Sequence, residues 1–301
     1  MDLPQIPNLL LYALPFFAIT VLIEGIVIFR KNKESYDLKD TFASLAMGTG
    51  NYFTNIVAKM MVLFVITLVY DQLRITTLSF AWWVWLVGLV IQDFCYYWFH
   101  RVSHESRFFW ASHIVHHSSR KYNLSTALRQ TWTGRFINFF FYLILPVLGF
   151  HPLMILALMS INLIYQYWIH TELIDKMPRW FEAVFNTPSH HRVHHGSNPL
   201  YLDRNHAGIL IIWDKLFGTF QEELASEKVV YGLTKNIATY HPVKIAFDEW
   251  VAVFKDAFGT KMPLVKRWLY FVKAPGWRHD GFGIVSNDLR EEWLREHPKK
   301  P

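Results

Sequence analysis

FAWWVWLVGLVIQDFCYYWFHRVSH, residues 80–104, runs from an apolar segment directly into two histidines with three residues between them. Between Phe80 and Phe99 the one charged residue is Asp93. About 20 such residues cross the ~30 Å hydrocarbon core of a bilayer as a helix. Asp93 precedes His100 by two helical turns and shares its face. An ionisable group inside a span is costly, so Asp93 is expected to serve the site, fixing the tautomer of a ligating histidine.

Three further runs extend the pattern. Leu9–Phe29 is apolar apart from Glu24, and Thr54–Tyr70 carries Lys59 near its first end, where it can snorkel. The opening MDLPQIPN has no Lys or Arg, so the first run reads as a retained helix rather than a signal peptide. Residues 136–168 are apolar but interrupted by Pro146, Gly149 and Pro152. This spacing predicts two short helices joined near 149–152, with His151 at the tip. The loop RKNKESYDLKD, residues 30–40, carries four basic residues, and 101–135 carries six against Glu105. Basic loops favour the cytoplasmic side, so the N-terminus is expected outside and His100 inside.

The expected fold is all-α: an integral-membrane helical bundle of about three full spans plus a helical hairpin, with a cytoplasmic histidine-rich helical cap. Residues 1–99 would be membrane scaffold. Residues 100–220 would be the catalytic histidine-box region, including the hairpin 136–168. Residues 221–301 would be a polar cytoplasmic tail. The protein would be multi-pass, in a bacterial inner membrane or endoplasmic reticulum, with its site on the cytoplasmic side.

Composition agrees. Of 301 residues, 52% are hydrophobic, 17% aromatic and 18% charged, against about 25% charged in soluble domains. Disordered and collagen-like chains are excluded. With Cys95 as the one cysteine, so is a disulfide scaffold. The net charge of +6 is uneven: residues 1–99 hold 6 Lys/Arg and 7 Asp/Glu, leaving 24 and 17 of the totals 30 and 24. The basic residues border the expected membrane face rather than forming an exposed stripe, which argues against nucleic acid.

All 15 histidines lie from His100 onward. His100 and His104 form H-x3-H. His113, His116 and His117 form H-x2-HH, and His191, His194 and His195 repeat it, preceded by His190. On a helix, positions i, i+3 and i+4 share a face. Imidazole ligates iron, zinc, copper or nickel. Eight imidazoles exceed what one ion holds, so two ions are expected. His170 in YQYWIHTEL is a ninth candidate ligand and His190 a tenth. His151, His206, His241, His279 and His297 stand alone and read as structural. Glu105 and Asp214 are candidates to orient a ligand or water. Arg129, Asn123 and Gln130 are candidates to bind an anionic head group or cofactor.

Hydrolytic zinc sites commonly pair three protein ligands with water, and bridged dimetal hydrolases use carboxylates. A nitrogen-rich pair suits two iron ions (Fe2+) activating O2 against a C–H bond of a membrane lipid. No flavin, nicotinamide, haem or iron–sulfur motif is present, so an external electron donor or reductase is required. A zinc-dependent membrane hydrolase and a metal store without turnover remain open on these residues.

The three boxes, with WDKLFGTF at 213–220, resemble the fatty acid hydroxylase and sterol desaturase superfamily of histidine-rich membrane di-iron oxygenases. FHRVSHE (99–105), WASHIVHHSS (110–119), YNLSTALRQ (122–130) and NTPSHHRVHHGSNP (186–199) are most similar to its alkylglycerol monooxygenase branch. That resemblance implies hydroxylation beside an ether oxygen, with collapse to an aldehyde. It also implies tetrahydrobiopterin as donor and a role for Glu105 in activity. Sterol or fatty-acid desaturation or hydroxylation is the alternative within the superfamily.

Overall fold

The structure, a computed structural model, describes residues 9–31 and 37–298. Lys33 of the basic loop and the first eight residues lie outside the described residues. Every regular element among the described residues is helical. The sole β-type pairings among the described residues are the isolated bridges Phe185–Leu210 and Gly196–Tyr231.

Helices α1 (Leu9–Lys31) and α2 (Leu38–Leu73) are both long and apolar enough to cross a membrane. Their most apolar windows are only 22% and 17% buried. Phe16, Ile19, Leu22, Ile23 and Ile26 of α1 face outward, as do Ile56, Val57, Met60 and Phe64 of α2. Apolar faces turned outward on that scale mark a surface made for lipid rather than water. With 36 residues, α2 is ~54 Å long at 1.5 Å per residue, more than a bilayer needs. The expected run Thr54–Tyr70 is its far part. The near turns, capped by the Asp37 side chain, bury Asp40, Ala43, Ser44 and Met47 against the histidine region. Helix α3 (Trp82–Glu105) has 24 residues. Its inward face carries Gln92, Asp93 and His100, so the third expected span has the length but is less apolar than α1 and α2.

After Ser106 the chain restarts as α4 (Arg107–His117), then the single turn α5 (Leu124–Ala127). The expected hairpin follows. Its first arm is α6 (Gly134–Asn138), a 3-10 turn (Phe139–Tyr142) and α7 (Ile144–Val147); its second is α8 (Pro152–Trp168). The break falls at Gly149, with φ 95°. A Cβ there would lie 2.1 Å from the Thr76 carbonyl oxygen, so only glycine fits. Leu78 N–H donates to the Gly149 carbonyl at 3.1 Å and Ile75 N–H to that of Val147 at 2.8 Å. The tip therefore sits with the α2–α3 connection, at the end of the bundle away from the boxes. Val62, Ile66, Val84, Cys95, Leu145 and Leu158 form the core between α2, α3 and the hairpin. Buried Glu24 of α1 accepts from Leu124 N–H at 2.5 Å and from the Thr171 hydroxyl, tying α1 to the cap.

The cap contains α9 (Arg179–Val184), α10 (Pro188–His194) and α11 (Ile212–Leu216), then α12 (Pro242–Phe258), α13 (Leu264–Val272) and α14 (Ser286–Glu296). Among the described residues, 221–298 carry the last three of these helices. Helix α12 packs on α4 and α13, and both α12 and α13 leave apolar side chains exposed.

Candidate metal centre

Three helices deliver the boxes to one point. The last turns of α3 carry His100 and His104, α4 carries His113, His116 and His117, and α10 carries His191 and His194, with His195 at its cap. His170 arrives from the end of α8. The nine imidazoles sort into two groups, one of His100, His104, His113, His117 and His194, the other of His116, His170, His191 and His195. Within each group the ligating nitrogens lie within 4.8 Å of one another. This is the two-site partition expected from counting histidines. His190 is in neither group: it packs on Phe220, with ring centroids 5.4 Å apart.

Backbone hydrogen bonds fix which nitrogen four of the rings present. Nδ1 of His100 meets the His206 carbonyl at 2.7 Å, that of His116 the Arg129 carbonyl at 3.3 Å, that of His170 the Gln166 carbonyl at 2.7 Å, and that of His194 the Arg204 carbonyl at 2.8 Å. A carbonyl can only accept, so each Nδ1 carries the proton and each Nε2 is a bare lone pair. Yet the Nε2 atoms of His116 and His170 are 3.1 Å apart, and that of His191 is 3.0 Å from His170. In the other group His113 Nε2 lies 2.9 Å from that of His100 and 3.1 Å from that of His117. The facing lone pairs of His116 and His170 repel unless a cation lies between them. Two nitrogens each ~2.1 Å from one ion and at right angles are ~3 Å apart. The Nε2 atoms of His104, His194 and His195 are buried with no protein partner. These observations fit a metal ion in each group.

Electrostatics agree. Burial pushes His113, His117, His170, His191, His194 and His195 well below the usual histidine range, and His116 to about 4. Buried imidazoles that stay neutral at pH 7 are ready to ligate.

The other candidate residues take different places. Asp93 reaches no histidine. Its carboxylate accepts from Ile209 N–H, Leu210 N–H, the Asn162 amide and the Trp213 indole, at 2.8–3.0 Å. Asp214 accepts from the N–H groups of His206 and Ala207 and from the Thr219 hydroxyl. Both carboxylates pin the 205–214 turn whose His206 carbonyl orients His100, so they act through the backbone. Glu105 pairs with Arg101 at 2.8 Å and faces a polar cleft of about 270 Å³ shared with Asp203, Arg204 and Thr219.

Arg129 is not open to an anionic ligand. It is buried and donates to Asp40, Ser44, Ser118 and the Val115 carbonyl. Asn123 caps α5, and Gln130 donates to the Ala127 carbonyl. The cluster YNLSTALRQ thus braces His116, whose Nδ1 is held by the Arg129 carbonyl.

Two residues escaped the sequence reading. Asp203, at φ 53°, places its carboxylate 3.1 Å from His104 Nδ1. His206 stands alone in the sequence, yet it is fully buried with both ring nitrogens unpartnered by protein. Its centroid lies 5.0 Å from His104, 5.7 Å from His194 and 5.8 Å from His100. Neither belongs to a spaced box. The signal available was only their nearness to the WDKLFGTF motif.

The fatty acid hydroxylase family model matches residues 85–219, which hold all three boxes. The chain is 39% identical over 293 residues to an alkylglycerol monooxygenase of Homo sapiens, covering 96% of this chain and 64% of that protein. It is 38% identical over 278 residues to that of Danio rerio, covering 91% and 60%. An ornithine lipid hydroxylase of Rhizobium tropici is 29% identical over 164 residues, covering 51% and 46%. The chain thus spans less than two thirds of the length of these relatives. No solved structure matches. The superfamily resemblance read from the boxes holds, and so does the likeness to the alkylglycerol monooxygenases.

Proposed function

Because residues 85–219 match the fatty acid hydroxylase family, we propose that this chain is a membrane-bound two-iron oxidoreductase that hydroxylates a lipid C–H bond. The preferred substrate is an ether lipid attacked at the carbon beside the ether oxygen. The observation that carries the metal part is the pair of facing lone pairs on His116 and His170. The substrate part rests on the alkylglycerol monooxygenases, which the chain matches at 34–39% identity.

Irons bound by the two groups would supply O2 activation. Overall, the lipid C–H becomes C–OH and the second oxygen atom leaves as water, consuming two electrons and two protons. The hemiacetal so formed collapses to an aldehyde and a glycerol-type alcohol. The chain's own residues do the holding. Backbone carbonyls of Gln166, Arg129, His206 and Arg204 and the Asp203 carboxylate fix the imidazole tautomers. Burial of the rings keeps water from the centre. Electrons come from an external donor, tetrahydrobiopterin in the alkylglycerol monooxygenase reading. The cap and its metal centre belong on the cytoplasmic side of a multi-pass fold, with the hairpin tip opposite. A tag at 150 should then be reached from the side opposite to tags at 120 and 230.

The test is O2-dependent release of a fatty aldehyde from 1-O-alkylglycerol by membranes containing the protein and a reduced pterin. O2 uptake with no aldehyde, but with a hydroxylated lipid, would favour the second reading, hydroxylation of another membrane lipid. The resemblance to an ornithine lipid hydroxylase supports that reading. No O2-dependent product from any lipid extract would remove both.

A further inference from the structure

Helices α12 and α13 expose apolar stripes that neither the metal centre nor the spanning helices use. On α12 the stripe is Val243, Phe247, Val251, Phe254 and Phe258, each 39–63% exposed. At ~100° per residue these five fall within an arc of about 80°. Lys244, Lys255 and Asp248 follow on one flank of that arc. The opposite side is buried through Ile245, Ala246, Val253 and Ala257. On α13, Leu264, Val265, Trp268 and Val272 are 63–72% exposed, while Tyr270 is buried on the reverse side. Lys261, Lys266, Arg267 and Lys273 surround them. Residues 241–273 hold six Lys/Arg and three Asp/Glu. Two of those acids, Glu249 and Asp256, pair with Arg107.

The position of α12 says what covers the stripe. Ile245 and Ala246 pack with Ala43 and Met47 of α2. Trp250 Nε1 donates to the Thr133 hydroxyl, one residue before the hairpin begins. Phe247 stacks edge-on against Trp132, with centroids 6.1 Å apart. So α12 lies at the level where α2 and the first hairpin arm enter the apolar zone, where Phe42 and Leu45 of α2 are also exposed. An apolar arc bordered by lysines, at that depth, is the architecture of a helix lying in the membrane interface. Basic flanks add attraction to anionic lipid, about 1 kcal/mol per cation near the surface.

We propose that α12 and α13 lie in the plane of the membrane, their stripes sunk into the headgroup–acyl boundary of an anionic leaflet. The cap is then held against the bilayer from two directions. This is independent of the chemistry proposed for the metal centre.

The test uses the full chain with Cys95 replaced by alanine, reconstituted in phosphatidylcholine–phosphatidylglycerol vesicles. Single cysteines at 64, 251, 254, 265 and 268 carry nitroxide labels. Collision with O2 is compared with collision with a water-soluble nickel chelate. The proposal expects O2 to dominate at 251, 254, 265 and 268, at a shallower depth than at 64. It also expects all four cap labels to rise towards water when phosphatidylglycerol is omitted. Nickel access at these four equal to that at a label on residue 291 would overturn it. So would exclusion of both reagents with dipolar broadening between copies, which would mark a protein–protein face. The label at 64 reports the bilayer seating of α2 separately, so failure of the cap alone is distinguishable from failure of the membrane reading.

Discussion

His116 and His170 aim bare Nε2 lone pairs at each other across 3.1 Å, because each ring carries its proton on Nδ1 and donates it in a hydrogen bond to a backbone carbonyl. Two rings from α4 and the end of α8 would not settle into that contact for its own sake. A cation between them turns a repulsion into two bonds.

Replacing His116 or His170 by alanine should therefore empty the four-histidine position selectively. Its metal affinity should fall by more than the ~10–100-fold that loss of an outer hydrogen-bond partner costs. The five-histidine group, which contains neither residue, should keep its ion. Metal-to-protein ratios after gel filtration would fall from two towards one. A ratio that stays at two in both variants contradicts the assignment.

Asp203 is the sole side-chain carboxylate bonded to a member of either group among the described residues. Asp203→Asn keeps an acceptor for His104 Nδ1–H and tolerates φ 53°. Metal affinity at the five-histidine position should then change only a few-fold. Asp203→Gly suits the backbone but removes the acceptor, and should cost ~10–100-fold. Equal affinity in the two variants would show that His104 needs no orienting partner.

The metal-free protein should lose stability in mild acid. The buried histidines have folded-state values pushed below the ordinary one by burial, to about 4 for His116. Above pH ~6.5 neither state binds protons at these rings. As pH falls below that, the unfolded chain takes up protons and the folded chain does not until about 4. Stability should drop across this window, by up to ~1.4 kcal/mol per pH unit for each such ring. Thermal melts of chelated protein at pH 7, 6 and 5 test this, and a flat Tm would contradict it.

Asp93 should behave as a structural residue. Asp93→Ala removes an acceptor from four donors, of which the Ile209 N–H is fully buried and the Leu210 N–H and Trp213 indole half-buried, while the Asn162 amide keeps Gln92. At about 1–3 kcal/mol for each, most of the protein should fail to fold. Asp93→Asn should lower Tm, while the folded fraction still binds two ions. A variant with normal Tm and altered metal content would return Asp93 to the site.

How much of this was legible in the sequence follows from what kind of signal each feature leaves. The boxes were legible because ligands one turn apart on a helix must recur at three or four residues. The hairpin was legible because Pro146, Gly149 and Pro152 interrupt an apolar run. Asp203 and His206 were not, since Asp203 meets His104 and the His206 carbonyl meets His100 from about 100 residues away, with no local spacing. Arg129 misled because a buried arginine that braces the chain and one that binds an anion read the same in one dimension. The stripe on α12 had a signal that composition masked. Val243, Phe247, Val251, Phe254 and Phe258 recur at helical spacing within a segment whose prolines and charges suggested a polar tail.

The most direct measurement is the metal content of protein purified without oxygen and without added chelator, with two metal positions resolved by titration. The account predicts two iron ions per chain, both lost when His116 and His194 are replaced together. One ion or none per folded chain, or two ions retained by that double variant, would contradict it.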